Sequence, residues 1–409
     1  MAPRFIVGLD IGTCAIKVSV VEHRGDKMVL HSIFKEPSAG LRRGSVFDPA
    51  ETAPAISRAL DSVKKISKSA LKNIYLNLNT SQARVQTARG IVAVSRVDNE
   101  IFEDDVERVK KASQAVSTLP NYVVVHNLTK EFIVDGVPEI ENPLGLSGSR
   151  LEVQSFIVDA FAPHVKNAMR AVEMAGGEVR GVVFNPLTAA RAALSRNQKN
   201  LGVALIDIGF STTGLAVYEE NKLIGMKVIP LGSANITNDL AVGLKIPVAS
   251  AENLKLNFGY AYSSDVGVKE MVDMKKFHPE ARGSVSKRFI SEIIESRLAE
   301  ILELVNNELK LMGKAGRLAG GVVFVGGGSK MPGLTELGKH VLKLASQIGF
   351  TVGTDWFEET VIHSPESLED PEFVNSLGLI LWGADEEKLW EGSRAKKFDF
   401  KTVFKNFLS

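Results

Sequence analysis

The chain has almost no cysteine, no excess of charge of either sign and no long apolar run, and each absence removes a class of protein. A single cysteine, Cys14, excludes an internal disulfide and fits a reducing compartment. With 49 Lys+Arg against 48 Asp+Glu, no global field draws the chain onto nucleic acid, so no nucleic-acid partner is expected and any electrostatic specialisation is local. No segment approaches the roughly 18 to 20 apolar residues that cross a bilayer. The opening residues, MAPRFIVGLDIG, run straight into a strand-like stretch without a cleavable apolar segment, and the expected compartment is the cytoplasm.

What is present is a repeat. Residues Ile6 to Val21 (IVGLDIGTCAIKVSVV) and Leu201 to Tyr218 (LGVALIDIGFSTTGLAVY) both read as an apolar strand, Asp-Ile-Gly, a short polar loop and a second strand. Asp10 pairs with Asp207, Gly12 with Gly209 and Val20 with Val217 at one constant offset, which points to a duplicated domain. A loop presenting backbone N–H groups and a small hydroxyl beside a carboxylate suits polyphosphate with a divalent cation. Glycine admits close backbone approach, and the acid holds the ion through its water shell. Two such loops facing each other would grip one nucleotide from both sides. Cys14, next to Thr13, reads as a small residue packed near the loop rather than a catalytic thiol, because no histidine is motif-linked to it.

A chain of 409 residues with 44% apolar content supports two to four domains. Helical spacing of Ile56, Leu60 and Val63 predicts a helix over 50–67, and alternation predicts a strand over 73–80. From about 83 the character changes. RVQTARGIVAVS suggests a strand pair turning near Gly90, followed by a helix over 104–116 and alternating strands to about 163, an α+β insertion. A helix over 164–177 restores the α/β pattern. Next come a buried strand at Val182 to Phe184 and a helix opened by Asn185 as N-cap, with Pro186 at its first position. The stretch 249–259 reads as a short helix. The longest helix, 286–312, carries the stripe Ile290, Ile294, Leu298, Ile301, Leu302, Val305 and Leu309. GGVVFVGGGS (320–329) is a buried strand entering a triple-glycine turn, and 334–344 and 373–382 are further helices.

The turn Gly326-Gly327-Gly328-Ser329 is an ordinary tight turn in isolation, but after two Asp-Ile-Gly hairpins it suits backbone packed flat on adenine or ribose. Glu252 and Lys255, three apart on one helix face, either reach the same base and sugar from the other side or form a plain surface pair.

GLDIGT, LGVALIDIG and VFVGGGSKMPG, in this order, resemble the phosphate-1, phosphate-2 and adenosine motifs of the actin and sugar-kinase superfamily. More narrowly, almost the whole chain resembles the FtsA family of actin-like bacterial cell-division proteins. The resemblance rests on RGIVAVS, KEFIVDG with ENPLGLSGSRLEV, VIPLGSANITNDLAVGL and the following AEN-LK, and ESRLAEILELV. It implies an α/β fold: a duplicated actin-like (ribonuclease H-like) ATPase fold with an α+β insertion domain and a C-terminal amphipathic helix. The implied first subdomain covers 1–82, completed by 164–200 and 372–384, with the insertion at 83–163. The second covers 201–232 and 320–371, with a smaller subdomain at 233–319, a linker at 385–393 and the terminal helix at 394–409.

The implied cofactors are ATP and Mg2+, with Asp10 and Asp207 holding the ion through water. The implied nucleotide contacts are Gly12, Thr13, Cys14, Lys17, Gly209, Ser211, Thr212, Thr213, Gly232, Glu252, Lys255, Gly326, Gly327, Gly328 and Ser329. Two departures bear on mechanism: Phe210 and Ser211 stand where the second loop usually has glycines, and Asn185 stands where related ATPases often place Glu. An amide orients water but does not take its proton near neutral pH. With Asp10, Asp207 and Asn185 as the catalytic set, ATP binding with weak or no hydrolysis is expected. The resemblance further implies self-assembly into filaments, docking of the FtsZ C-terminal peptide on 233–319, later division proteins on the insertion domain, and a location on the cytoplasmic face of the membrane at the division site. Two alternatives share the nucleotide motifs: a type IV pilus actin-like inner-membrane adaptor and a small-molecule kinase.

The last residues are informative without a family. After the polar stretch 385–393, Phe400, Val403, Phe404, Phe407 and Leu408 fall at helical spacing, with Lys397, Lys401 and Lys405 and the neighbouring Arg394 and Lys396 supplying positive charge. A helix over 398–408 is about 16 Å long against roughly 30 Å of hydrocarbon, so it lies on an anionic membrane surface rather than spanning it. The competing fate is docking on the protein's own core. Burying five apolar side chains gives roughly 5–8 kcal/mol and each basic residue near anionic lipid adds about 1 kcal/mol, while ordering some eleven residues costs on the order of 1 kcal/mol each, so one tail binds marginally. Many tails on one filament bind well.

Overall fold

A computed structural model describes residues 4–24, 27–95, 98–114, 119–277, 283–352, 357–358 and 368–392. The chain divides into two compact units, Thr80–Asn167 and, by itself, Met1–Asn79 with Ala168–Ser409.

The larger unit contains the duplication. Its first sheet runs, edge to edge among the described residues, Val179–Phe184, Ile74–Leu78, Arg4–Ile11, Ala15–Arg24, Lys27–Pro37 and Phe357–Glu358. The second runs Ser346–Ile348, Val322–Val325, Val203–Ile208, Thr213–Glu219 and Lys222–Ile229. In both, an antiparallel meander of three strands is extended by parallel strands beside its first member. The correspondence reaches single residues. The register slips between Val20 and Val21 in one meander and between Val217 and Tyr218 in the other, and the hairpin loops are closed by Gly12 N–H to Ala15 O and by Gly209 N–H to Thr212 O. The repeated pattern of strand-formers thus encodes a repeated topology, down to the bulge.

The segment 233–319 adds helices Ser233–Leu244, Val248–Phe258 and Lys287–Leu311 and a two-stranded ribbon, Met271–Asp273 with Ser284–Ser286. The whole predicted stripe of the long helix is buried, and all of it but Ile301 packs into one cluster with Ile208, Leu215 and Phe324 of the second sheet. Each such side chain contributes roughly 1.5–3 kcal/mol on full burial, against tenths for surface ion pairs, so the stripe orients this helix and its charges are a solvated face.

Helix Val374–Gly392 returns to the first half, where it packs on strands Arg4–Ile11, Ala15–Arg24 and Ile74–Leu78 and on helix Asn185–Ala193. Glycine sets how closely it sits: a Cβ on Gly8 would stand 2.2 Å from Ser376 O, and one on Gly378 would stand 2.1 Å from Thr188 O. The expected linker at 385–393 is therefore corrected over 385–392, which is helical. Asp385 pairs with Arg191, Glu386 accepts from Tyr75 and Trp382, and Glu387 accepts from Asn73, so these polar residues are tied to the first half. The amphipathic stretch 394–409 lies outside the described residues. Among the described residues no helix is long and apolar enough to cross a membrane.

The smaller unit is a four-stranded sheet, Arg84–Ala93, Arg150–Phe161, Tyr122–Val134 and Val137–Ile140, with helix Glu103–Gln114 against it. Its limits lie within four residues of the expected 83–163. The expected strand pair turning near Gly90 is instead one continuous strand. A Cβ there would lie 2.2 Å from Val109 O and 2.7 Å from Ser113 N, so Gly90 admits the helix rather than making a turn.

Candidate nucleotide site

The two hairpins place their acids at the ends of their first strands, Asp10 3% and Asp207 4% exposed. Asp10 pairs in register with Lys17, whose Nζ lies 3.3 Å from Asp10 Oδ2, whereas Asp207 pairs with Gly214. The duplicated loops therefore differ in charge: only the first carries a cation opposite its acid.

Each acid is steered by an amide that sequence reasoning missed. Ile11 N–H donates to Asn77 Oδ1, and Asn77 Nδ2 in turn donates to Asp10 Oδ1 at 2.7 Å. Asn375 Nδ2 donates to Asp207 Oδ2 at 2.7 Å, while Asn375 Oδ1 accepts from the Thr188 hydroxyl at 2.8 Å. Burial raises the pKa of both acids. For Asp10 the opposing influence is Lys17; for Asp207 it is Asn375, Lys17 and Asn185, with Asp10 adding to the rise. Burial works to lower Lys17, yet Asp10, Glu372 and Asp207 together hold it above its ordinary value. The acids and the lysine thus form one electrostatic unit whose two carboxylates gain from a bound cation.

Asn185 is the first residue of its helix, after Phe184 as N-cap, and it makes no side-chain cap bond; this corrects the expected N-cap assignment. Its amide is turned to Asp207 instead, and its Oδ1 is buried without a protein partner among the described residues. An orphaned acceptor beside an acid is suited to ordering a water.

The glycine turn belongs to the same place. Gly326 has φ of 85°, and a Cβ on it would stand 2.2 Å from Asp207 Oδ1, so glycine is needed both for the backbone and for the carboxylate. Gly328 admits Ile208, whereas Gly327 has open space around it, its nearest neighbour being Glu372 at 3.9 Å. Ser329 Oγ donates to Gly326 O and is spent on the turn itself.

The remaining expected contacts divide. Thr13 Oγ1 accepts from Gly44 N–H at 3.2 Å, and Cys14 is exposed at the loop. Gly12, Gly209 and Ser211 lie on the loops with intermediate exposure, and Thr212 is buried. Thr213 is corrected: it is fully buried in its strand, and its hydroxyl donates to Leu231 O, so it braces the loop from behind. Gly232 also acts from behind, because a Cβ there would stand 2.6 Å from Phe210 O and 2.7 Å from Gly209 O. The Phe210 ring lies 5.9 Å from Lys255 Nζ, on the side of helix Val248–Phe258. Lys255 is not a surface residue. It is 4% exposed and bonds Glu252, Thr237 Oγ1 and Ser233 O, so the surface-pair reading is overturned for it. Glu372 is a further residue that sequence reasoning missed; it approaches Lys17 and Lys35.

The donor set fits a nucleotide with a divalent cation: two buried acids, a lysine, a buried unpaired amide oxygen and a turn whose Gly326 leaves no room for a Cβ beside Asp207. Among the described residues no group of three or more His, Cys, Asp or Glu side chains that could hold a metal ion exists.

Comparisons with known proteins extend this. A family model described as Cell division protein FtsA matches residues 204–378, and a second, described as SHS2 domain inserted in FTSA, matches 80–159. Cell division protein FtsA of Bacillus subtilis is 35% identical over 97% of this chain and 86% of its own length. That of Borreliella burgdorferi is 32% identical over 100% and 97%, and that of Escherichia coli K12 29% identical over 96% and 94%. Among solved structures, a type IV pilus biogenesis complex, PilM-PilN, aligns with TM-score 0.65 at 18% identity over 92% of this chain and 98% of that one. MreB5 of Spiroplasma citri bound to ADP aligns with TM-score 0.54 at 14% identity over 95% and 99%. At these identities the structural likenesses establish the actin-like fold alone.

Proposed function

Since the chain belongs to the FtsA family of cell-division proteins, we propose that it is an ATP-binding, filament-forming adaptor that anchors FtsZ filaments to the cytoplasmic face of the membrane at the division site. The observation that carries the nucleotide reading is the convergence of Asp10, Lys17, Asp207 and the Gly326 turn from two duplicated halves. Bound ATP supplies polyphosphate charge, and Mg2+ offsets that of the two acids. Lys17 and the backbone N–H groups of both loops bind the phosphates, Asn77 and Asn375 orient the acids, and Asn185 holds a water without accepting its proton. Switching assembly rather than turning over ATP is the chemistry this set supports.

Anchoring falls to residues 394–409. Because one tail binds marginally, filament formation and membrane attachment reinforce each other through avidity. The FtsZ C-terminal peptide is assigned to segment 233–319 and later division proteins to the insertion domain. Deleting Arg394 to Ser409 is expected to abolish vesicle binding while leaving FtsZ-peptide binding intact. Retained vesicle binding, or loss of the peptide from the intact chain, overturns the assignment. The pilus-adaptor and kinase readings share the fold, but no residue of the site favours them.

A further inference from the structure

Three lysines from separate elements converge on one carboxylate beside the phosphate loops. Glu372 lies in the short helical turn Pro371–Phe373, its side chain 14% exposed. Its oxygens stand 2.8 Å from Lys35 Nζ, 3.8 Å from Lys330 Nζ and 4.0 Å from Lys17 Nζ. Lys17 and Lys35 come from neighbouring strands of the first sheet, whereas Lys330 closes the helical turn that follows Gly326 in the second half. Two of the three have another acid: Lys17 has Asp10 at 3.3 Å, and Lys330 has Asp370 at 2.6 Å. Glu372 also lies against the glycine turn, its side chain within 4.0 Å of where a Gly327 Cβ would be.

A phosphate that contacts both Lys17 and the backbone of this turn must therefore arrive next to an existing negative charge. We propose that Glu372 is an internal anion that competes with nucleotide phosphate for Lys17, making it a specificity-determining residue that penalises nucleotides in proportion to their phosphate charge. The inference rests on the ATP reading above. It follows from two features of the site. The carboxylate is already paired with the cations a phosphate would use, and it is too shielded from water for its charge to be screened as a surface charge would be. Lys35, with no second acid among the described ion pairs, retains Glu372 when Lys17 turns to phosphate, so Glu372 is displaced from Lys17 without being left unpaired.

A purely bracing role makes a different prediction. If Glu372 only holds Lys35 and Lys330 together, removing its charge loosens the site and weakens every nucleotide alike. The test is displacement of a fluorescent ATP analogue by ATP, ADP and AMP from the full chain, in wild type, Glu372→Gln and Glu372→Asp, with thermal melting as a check on folding. Glu372→Gln keeps the shape and is expected to tighten ATP by about fivefold or more, ADP by less and AMP hardly at all, while Glu372→Asp keeps the wild-type order. Equal or uniformly weaker binding by a folded Glu372→Gln protein overturns the inference and leaves the ATP reading standing. Failure of both wild type and Glu372→Gln to bind any of the three nucleotides removes the ATP reading, and this inference with it.

Discussion

Asn375 donates a 2.7 Å hydrogen bond to Asp207, a buried carboxylate 168 residues earlier in the chain and in the other duplicated half. Its neighbour Ser376 meets Ser19 of the first half at 2.8 Å, so the start of one helix is bonded to both. Replacing Asn375 by Ala strips a buried acid of a donor, which costs about 1–3 kcal/mol. The expected outcome is a lower melting temperature together with weaker ATP binding. A variant as stable as wild type in chemical denaturation contradicts this role.

Two adjacent glycines should behave oppositely. At Gly326 a methyl group meets Asp207 Oδ1 at 2.2 Å in a left-handed backbone, whereas at Gly327 nothing is nearer than 3.9 Å. Gly326→Ala is expected to cost about 2 kcal/mol or more and to remove nucleotide binding, and Gly327→Ala less than about 1 kcal/mol. Urea melts of the pair check the ordering, which equal losses contradict.

Hydrolysis should be slow. Asn185 offers the site an acceptor oxygen but no base, so steady-state phosphate release by the purified chain is expected below about one turnover per second. Faster release requires a base elsewhere.

The insertion domain should weaken in mild acid. Burial lowers His126 from 6.5 to about 4, so the folded domain resists a proton that the unfolded chain accepts. Stability is full above the unfolded value, falls as pH drops from about 6.5 towards 4, and levels off below it, a loss of about 1–3 kcal/mol. Denaturation of the chain followed by hydrogen exchange within Thr80–Asn167 at pH 7 and pH 5 reads this. Replacing His126 by Gln should flatten the dependence.

The Asp-Ile-Gly hairpins, the triple-glycine turn and the stripe of the long helix were legible because each is a local pattern: strand alternation, helical period, or a turn only glycine can make. Those patterns, repeated at a constant offset, determined the duplication and the two acids, and the family resemblance of the motifs implied the actin-like fold class. The sequence pattern misplaced Gly90 and Thr213 for one shared reason. A glycine or hydroxyl used locally looks the same as one used against a distant element, and only packing tells them apart. The register that sets Lys17 opposite Asp10 and Gly214 opposite Asp207, the reach of Asn77 and Asn375 to the acids and the gathering of three lysines around Glu372 were decided by tertiary structure. They join residues brought together by sheet order and helix packing, whose separation along the chain leaves no period to read.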